Sequence, residues 1–202
     1  APAAPGLRQA LAYFGRMRGG LVLRGWQAVG ARLGLRPGMF CLNLSQGDPL
    51  KFNPARAAAV NPRGDRYHAD PFLWQRGKET WCFFETFDYP TGTGWISAGR
   101  LEADGIEDIR PVLKPGYHLS FPFLFEHQGE LFMMPESCAM DRIELWRCTQ
   151  FPDSWELHST ALEGSNAADS TLAEIDGQWW LFTNHCDDPF GNMSSDLLLY
   201  RT

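Results

Sequence analysis

Much of what this 202-residue chain lacks is informative. No apolar run approaches the roughly 20 residues that a membrane-crossing helix needs, so no transmembrane segment is expected. There is no GxSxG nucleophile elbow, no phosphate-binding loop and no zinc-type spacing, which removes the serine hydrolases, the nucleotide-binding loops and the zinc modules as readings. The five cysteines, Cys41, Cys82, Cys138, Cys148 and Cys186, are an odd number without CxxC spacing. That argues against a disulfide framework and for a reducing compartment, so a cytoplasmic location is expected, with Cys82 a small hydrophobe inside a strand. Acid is missing from residues 1–36, which hold six arginines (Arg8, Arg16, Arg18, Arg24, Arg32, Arg36). The remainder carries 12 basic against 24 acidic side chains, and such a surface does not suit nucleic acid.

What is present is a soluble, strand-forming composition, with 44% hydrophobic and 13% aromatic residues. Disordered and collagen-like classes are excluded. The organising stretch is His68-Ala69-Asp70-Pro71-Phe72-Leu73-Trp74, a turn at Gly77, then Trp81-Cys82-Phe83-Phe84-Glu85. It recurs as Ser120-Phe121-Pro122-Phe123-Leu124-Phe125, Gly129 and Leu131 to Glu136, and again as Ala168-Asp169-Ser170-Thr171-Leu172, Gly177 and Trp179 to Asn184. Asp70, Phe121 and Asp169 fall in register, at a period of about fifty residues that is typical of a blade in a radial array. The apolar runs are short and separated by glycine-centred turns, which predicts antiparallel strands. Further strands are expected at Gly94–Leu101, Ile109–Leu113, Arg142–Arg147, Trp155–Ser159 and Asp196–Arg201. The fold expected is therefore all-β, a β-propeller of about three four-stranded blades near residues 67–116, 117–166 and 167–202.

Upstream, Leu7 to Leu35 mixes apolar residues and arginines at rough helical spacing, broken at Gly19-Gly20. One or two short amphipathic helices are expected over 1–36, as a linker lying against the propeller or as a membrane-surface or partner-docking segment. The partial propeller then occupies 37–202. Met39 to Leu44 reads as a strand, Gln46 to Pro49 as a turn, and Asn53 to Arg66 as a loop. The chain starts at Ala1 without an initiator methionine, as a processed product or part of something longer would.

In a propeller the innermost strand of each blade begins at one mouth of the channel and the next strand returns to it. Asp70, Phe121 and Asp169 should then meet Glu85, Glu136 and Asn184 on one rim, with His68, His118 and His185 nearby. Crowded carboxylates separate in pKa by mutual repulsion, and glycoside hydrolysis uses one protonated and one ionised carboxyl. The plainer reading is that Asp before Pro forms turns, and that hydrogen-bonded histidines are structural. Trp95 and Trp146 are candidates for stacking on sugar rings. Asn43-Leu44-Ser45 and Asn192-Met193-Ser194 fit the glycosylation pattern. No metal or cofactor is expected.

His68-Ala69-Asp70-Pro71-Phe72, Tyr117 to Phe123, Pro135-Glu136-Ser137, Phe151 to Trp155, and Ala168 to Thr171 with Trp179 to Phe182 together resemble the N-terminal domain of plant glucosamine inositolphosphorylceramide transferases and its bacterial relatives. That domain is similar to the five-bladed propellers of glycoside hydrolase family 43 and of the invertase and levansucrase families. The resemblance implies a triad of acids at the strand starts of the first three blades. Asp70 matches the first, Phe121 stands at the second, and Asp169 stands where a glutamate belongs, so Glu136 would supply the acid from another strand. The resemblance thus implies a carbohydrate-active domain with Asp70 as base or nucleophile, Glu136 as general acid and Asp169 or Glu85 tuning them. Glu85, His68, His118, Asn184 and His185 would contact substrate. The alternatives are a sugar-binding accessory module of a glycosyltransferase and a protein-interaction scaffold. Five blades of about fifty residues exceed this chain, and an open fan of blades calls for a capping helix, a second copy or a partner.

Overall fold

Short aromatic-rich runs bounded by Gly, Pro and Asp build most of the described residues from Leu42 onward into β-strands. The computed structural model describes residues 40–60, 62, 64–103, 105–185 and 196–201, and, singly, Arg18, Val22, Gly25, Trp26, Val29, Gly30 and Leu33. A small hairpin of β1 (Leu42–Leu44) and β2 (Ala58–Val60) precedes the first four-stranded sheet, β3 (Arg66–Arg76), β4 (Glu79–Asp88), β5 (Thr93–Glu102) and β6 (Gly105–Leu113). A second sheet of four follows: β7 (Ser120–His127), β8 (Glu130–Glu136), β9 (Ile143–Gln150) and β10 (Ser154–Ala161). The third holds β11 (Ala167–Ile175), β12 (Gln178–His185) and β13 (Asp196–Arg201). Each sheet is an antiparallel meander whose first strand is innermost. β3 packs beside β7 and β7 beside β11, so the sheets fan about one axis as part of a propeller that does not close.

Tight turns set the strand pairing. Gln128-Gly129 and Asp176-Gly177 have positive φ at both residues (53° and 80°, 53° and 75°), the pattern of a two-residue hairpin matched to strand twist. In the first sheet Gly77, at φ 61°, leads the turn and Lys78 follows. The glycines aligned from the sequence are therefore offset by one place in the turn, although each inner strand reaches its hairpin in the same register.

Packing between sheets supplies the core. Trp81, Phe83, Ile96 and Ala98 of the first sheet bury against Leu119, Leu124, Leu131 and Met133 leading into and forming the second. Met134, Ile143 and Ala167 join the second sheet to the third. Full burial of a side chain such as Phe83 or Met133 is worth about 1.5–3 kcal/mol, and this interlayer term holds the fan together. Arg110 adds a two-pronged bridge from β6 to Asp153 before β10, with contacts of 2.6 and 3.2 Å.

One expectation changes, and another falls largely outside the described residues. Residues 53–66 are not simply a loop, because Ala58–Val60 pairs with Leu42–Leu44 and the hairpin lays Leu42 and Val60 over Cys82 and Phe84, covering part of the first sheet's outer face. The N-terminal helical segment lies largely outside the described residues. Of those described there, Arg18, Val22, Gly25, Trp26, Val29 and Gly30 are helical and Leu33 is in a turn, its N–H donating to the Val29 carbonyl at 3.1 Å; Val22, Trp26, Val29 and Leu33 are exposed.

Candidate functional site

Each inner strand breaks its pairing at one place. Register shifts fall between Ala69 and Phe72, Ser120 and Phe123, and Ala168 and Thr171. Within the three breaks Asp70, Phe121 and Asp169 have φ of 51°, 44° and 50°. Aspartate tolerates this left-handed region through local hydrogen bonding, whereas a phenylalanine there is strained. Phe121 is retained by packing, edge-on to Phe72 at 5.0 Å between ring centroids. Just before each bulge Ala69 pairs with Glu85, Ser120 with Glu136 and Ala168 with Asn184. The bulge residue and the residue across the ladder therefore meet at one end of the inner strands in all three sheets. In the first sheet these positions are not strand termini, since β3 and β4 continue past them to Arg66 and Asp88.

The acids interlock from sheet to sheet. The Asp70 carboxylate accepts the Phe121 backbone N–H, and Glu136 Oε2 accepts the Asp169 N–H at 3.2 Å. Asn184 Nδ2 donates to Asp169 Oδ2 at 3.3 Å, and the Cys138 thiol, its pKa pushed up to about 12 by burial, donates to Glu136 Oε1 at 3.4 Å. Glu85, only 4% exposed, has its Oε1 3.4 Å from the Tyr67 hydroxyl and 3.8 Å from His118 Nε2.

Electrostatics follow from this crowding. Desolvation, reinforced by the charges of Asp70 and Glu136 and opposed by the Tyr67 hydroxyl, lifts Glu85 to about 8. Burial also raises Glu136, with Asp169 and Asp70 adding to it while Cys138 and the Asp169 amide oppose it. Asp70 is raised by burial and by Asp169, against the Phe121 amide. No Arg or Lys pairs with any of the four acids among the described residues. An acidic rim without a counter-cation suits a ligand rich in hydroxyl or ammonium hydrogens and disfavours an anion. A pocket of about 380 Å³ opens beside Asp70 and Glu85, walled by Tyr67 and the Phe40–Asn43 segment. Among the described residues no group of three His, Cys, Asp or Glu is placed to hold a metal ion.

The histidines separate. His118 stands at the cluster. His68 is set behind it, on the face of β4 that carries Phe84 and Thr86: its ring is edge-on to Phe84 and Nδ1 lies 3.2 Å from Thr86 Oγ1. Burial lowers its pKa to about 4, so the ring is neutral at pH 7, and it also borders the pocket beside Asp70 and Glu85. His185 follows Asn184 on β12 and meets the Ser165 hydroxyl at 3.2 Å. Trp95 is buried beneath the Lys114 ammonium, 3.6 Å from its ring centroid, and Trp146 donates to Glu144 at 3.1 Å; neither presents a face to the rim. Tyr67, Gly94 and Cys138 belong to the site and were not singled out from the sequence. Cys138, two residues beyond Glu136, and Tyr67, directly before the His68 motif, offered proximity as their only signal.

Comparison with known proteins agrees with this architecture. The family model described as glucosamine inositolphosphorylceramide transferase 1, N-terminal, matches residues 53–200. Glucosamine inositolphosphorylceramide transferase 1 of Oryza sativa subsp. indica is 35% identical over 137 residues, 65% of this chain and 18% of that protein. The Arabidopsis thaliana protein of the same name is 39% identical over 115 residues, 56% of this chain and 15% of that protein. The chain thus spans less than a fifth of the length of these relatives. Among solved structures, the alpha-L-arabinofuranosidase from Lactobacillus brevis aligns with a TM-score of 0.55 at 12% identity, covering 76% of this chain and 58% of that one. The fructofuranosidase from Schwanniomyces occidentalis complexed with fructose aligns at a TM-score of 0.50, also 12% identical, covering 63% and 31%. At that identity the likeness shows the propeller fold alone.

Proposed function

This chain belongs to the family of N-terminal domains of glucosamine inositolphosphorylceramide transferase 1, and from that premise we propose that its acidic rim binds the sugar of a glycoconjugate. The observation that carries the reading is the convergence of Asp70, Glu85, Glu136 and Asp169 without a compensating cation. Hydroxyls of a neutral sugar, or the ammonium of an amino sugar such as the glucosamine in the relatives' name, supply the hydrogens these oxygens lack. In the catalytic form of this reading Asp70 is base or nucleophile, Glu136 is general acid and Asp169 or Glu85 tunes them, with Asn184 donating to Asp169. The test is titration with a panel of neutral, amine-bearing and carboxylate-bearing monosaccharides, followed by assay of matching glycosides. Binding of the first two but not the third is expected, and Asp70→Asn or Glu136→Gln should abolish any turnover while the fold persists. Preference for the anionic sugars would refute the reading.

One observation favours a non-catalytic accessory role on the same rim. Phe121 fills the second bulge position, where hydrolases of the resembled type carry an acid. Sugar binding that survives both amide substitutions, with no hydrolysis, would identify the domain as a recognition module. The same proposal includes a partner or second copy on the exposed Leu197–Leu199–Tyr200 strand of the third sheet; light scattering that finds only monomer, alone and with the remainder of a full-length relative, would remove it.

A further inference from the structure

His118 enters the rim on the segment between β6 and β7, and its two ring nitrogens face different groups. The Gly94 amide lies 2.8 Å from Nδ1. A backbone N–H can only donate, so Nδ1 is the bare, accepting nitrogen and the ring carries its hydrogen on Nε2. Nε2 is the atom turned toward Glu85, 3.8 Å from Oε1. Forming imidazolium would place an N–H on Nδ1 against the N–H of Gly94, and burial opposes that charge as well. The pair therefore is not an ion pair.

Gly94 makes this arrangement sterically possible. A Cβ there would stand 2.7 Å from Glu85 Oε1, 2.8 Å from His118 Cε1 and 2.9 Å from His118 Nδ1, closer than real contacts allow. The other groups facing Glu85 are the Tyr67 hydroxyl on its own sheet's first strand and the carboxyls of Asp70 on β3 and Glu136 on β8. None is a cation. Glu136 differs, because both of its oxygens accept: Oε1 from the Cys138 thiol and Oε2 from the Asp169 amide. Those donors oppose the burial that raises Glu136 and occupy both of its oxygens, whereas on Glu85 the Tyr67 hydroxyl and His118 Nε2 both face Oε1, which leaves Oε2 to carry a proton.

We propose that Glu85, not Glu136, is the neutral carboxylic acid of the rim, the one acid of the four that gives a hydrogen to the ligand, and that Gly94 maintains this by holding His118 uncharged. The identity of the ligand rests on the glycan reading above; the protonation of Glu85 does not. It orients the sugar: an ether or glycosidic oxygen, which can only accept, meets Glu85, while hydroxyl or ammonium hydrogens meet Asp70, Glu136 and Asp169. In any turnover at this site Glu85 then takes the general-acid role in place of Glu136, which stays as an ionised rim carboxylate, and His118 and Gly94 are positioning residues.

The experiment is an NMR titration of the chain between pH 5 and 9 with carboxyl-¹³C glutamate and ¹⁵N histidine, Glu85 being assigned from the resonance lost in Glu85→Gln. The expected result is a Glu85 carboxyl still protonated at pH 7, with His118 showing a bare Nδ1 and a protonated Nε2 throughout. An ionised Glu85 at pH 7, or an imidazolium at His118, overturns the proposal. In parallel, the affinity for the best monosaccharide of the panel should fall about tenfold per pH unit once Glu85 ionises. Glu85→Gln should bind more weakly but with an affinity flat over the same range, since an amide still donates. An unchanged pH dependence in Glu85→Gln also overturns it. Absence of sugar binding by the unsubstituted chain at every pH defeats the glycan reading instead, and leaves the carboxyl and imidazole signals to decide the proposal.

Discussion

Replacing Glu85 by glutamine should change how stability depends on pH, and the size of the change can be worked from the fold. Glu85 rises from an ordinary 4.5 to about 8 because it is buried among acids. Below pH 4.5 it is protonated whether the chain is folded or not, and contributes no slope. Between 4.5 and 8 the unfolded chain releases a proton that the folded chain keeps, so stability falls with rising pH and levels off above 8. At 1.36 kcal/mol per pKa unit the full loss is about 5 kcal/mol, comparable with the whole stability of a small domain. His68 acts in the opposite sense. Burial lowers it from 6.5 to about 4, so the unfolded chain takes up a proton that the folded chain refuses, and about 3 kcal/mol is lost on acidification through that range. The two slopes largely offset one another between pH 4.5 and 6.5, leaving a decline of about 2 kcal/mol from 6.5 to 8 that belongs to Glu85. Urea unfolding followed by tryptophan fluorescence at pH 5, 6.5 and 8 would measure it, with m-values checked for constancy. Glu85→Gln should be flat from 6.5 to 8 and should gain stability relative to the parent as pH rises. Parallel curves for the two proteins, or a parent that is more stable at pH 8 than at 6.5, would refute the reasoning.

Other substitutions address separate parts of the structure. Gly94→Ala forces Glu85 and His118 apart, and should lower stability by about 1–3 kcal/mol in the same urea assay and abolish the Nδ1 acceptor signal of His118. Glu144 is fully buried and accepts from Arg142 at 2.8 Å, Tyr117 at 2.7 Å and Trp146 at 3.1 Å; Glu144→Ala should cost about 3–5 kcal/mol, against about 1 kcal/mol for Tyr117→Phe. A double-mutant cycle on that pair gives the coupling directly, and a near-zero coupling would contradict the geometry. Phe121→Asp suits the φ of 44° better than phenylalanine does but loses the ring contact with Phe72, so thermal unfolding should show a net change within about 1 kcal/mol.

The strands were readable because burial on both faces demands unbroken apolar runs such as Trp81 to Phe84, and turns demand residues such as Gly129 and Gly177 that accept positive φ. The rim positions were readable for a related reason: Asp70 and Asp169 are residues that tolerate the bulge, and Glu85 and Glu136 end apolar runs with an acid. The hairpin strand Ala58–Val60 was hidden among prolines, and its three residues pair with only three others, too few to leave a periodic signature. Nor did the sequence disclose which histidine belongs to the cluster. His68 sits inside the repeating motif yet shares the Thr86 face of the ladder, because strand side chains alternate and its pairing with Thr86 lies one step along from the Ala69–Glu85 pair. His118 lies outside that motif and reaches Glu85 only because a strand of the preceding sheet has a glycine at position 94. Contacts of that kind depend on two sheets meeting, and no local pattern encodes them.

The left-handed bulge has an implication for how such a rim can change. Its shape is set by the backbone and by the packing beneath it, so whichever side chain occupies the position is delivered to the same spot. Aspartate, phenylalanine and aspartate already stand in the three copies. Each position works as a socket with a fixed aim: an acid plugged into it adds charge to the rim, an aromatic ring adds a wall, and neither exchange requires the sheet to be rebuilt. Chemistry in this fold can therefore be altered one letter at a time, while the means of presenting it stays constant.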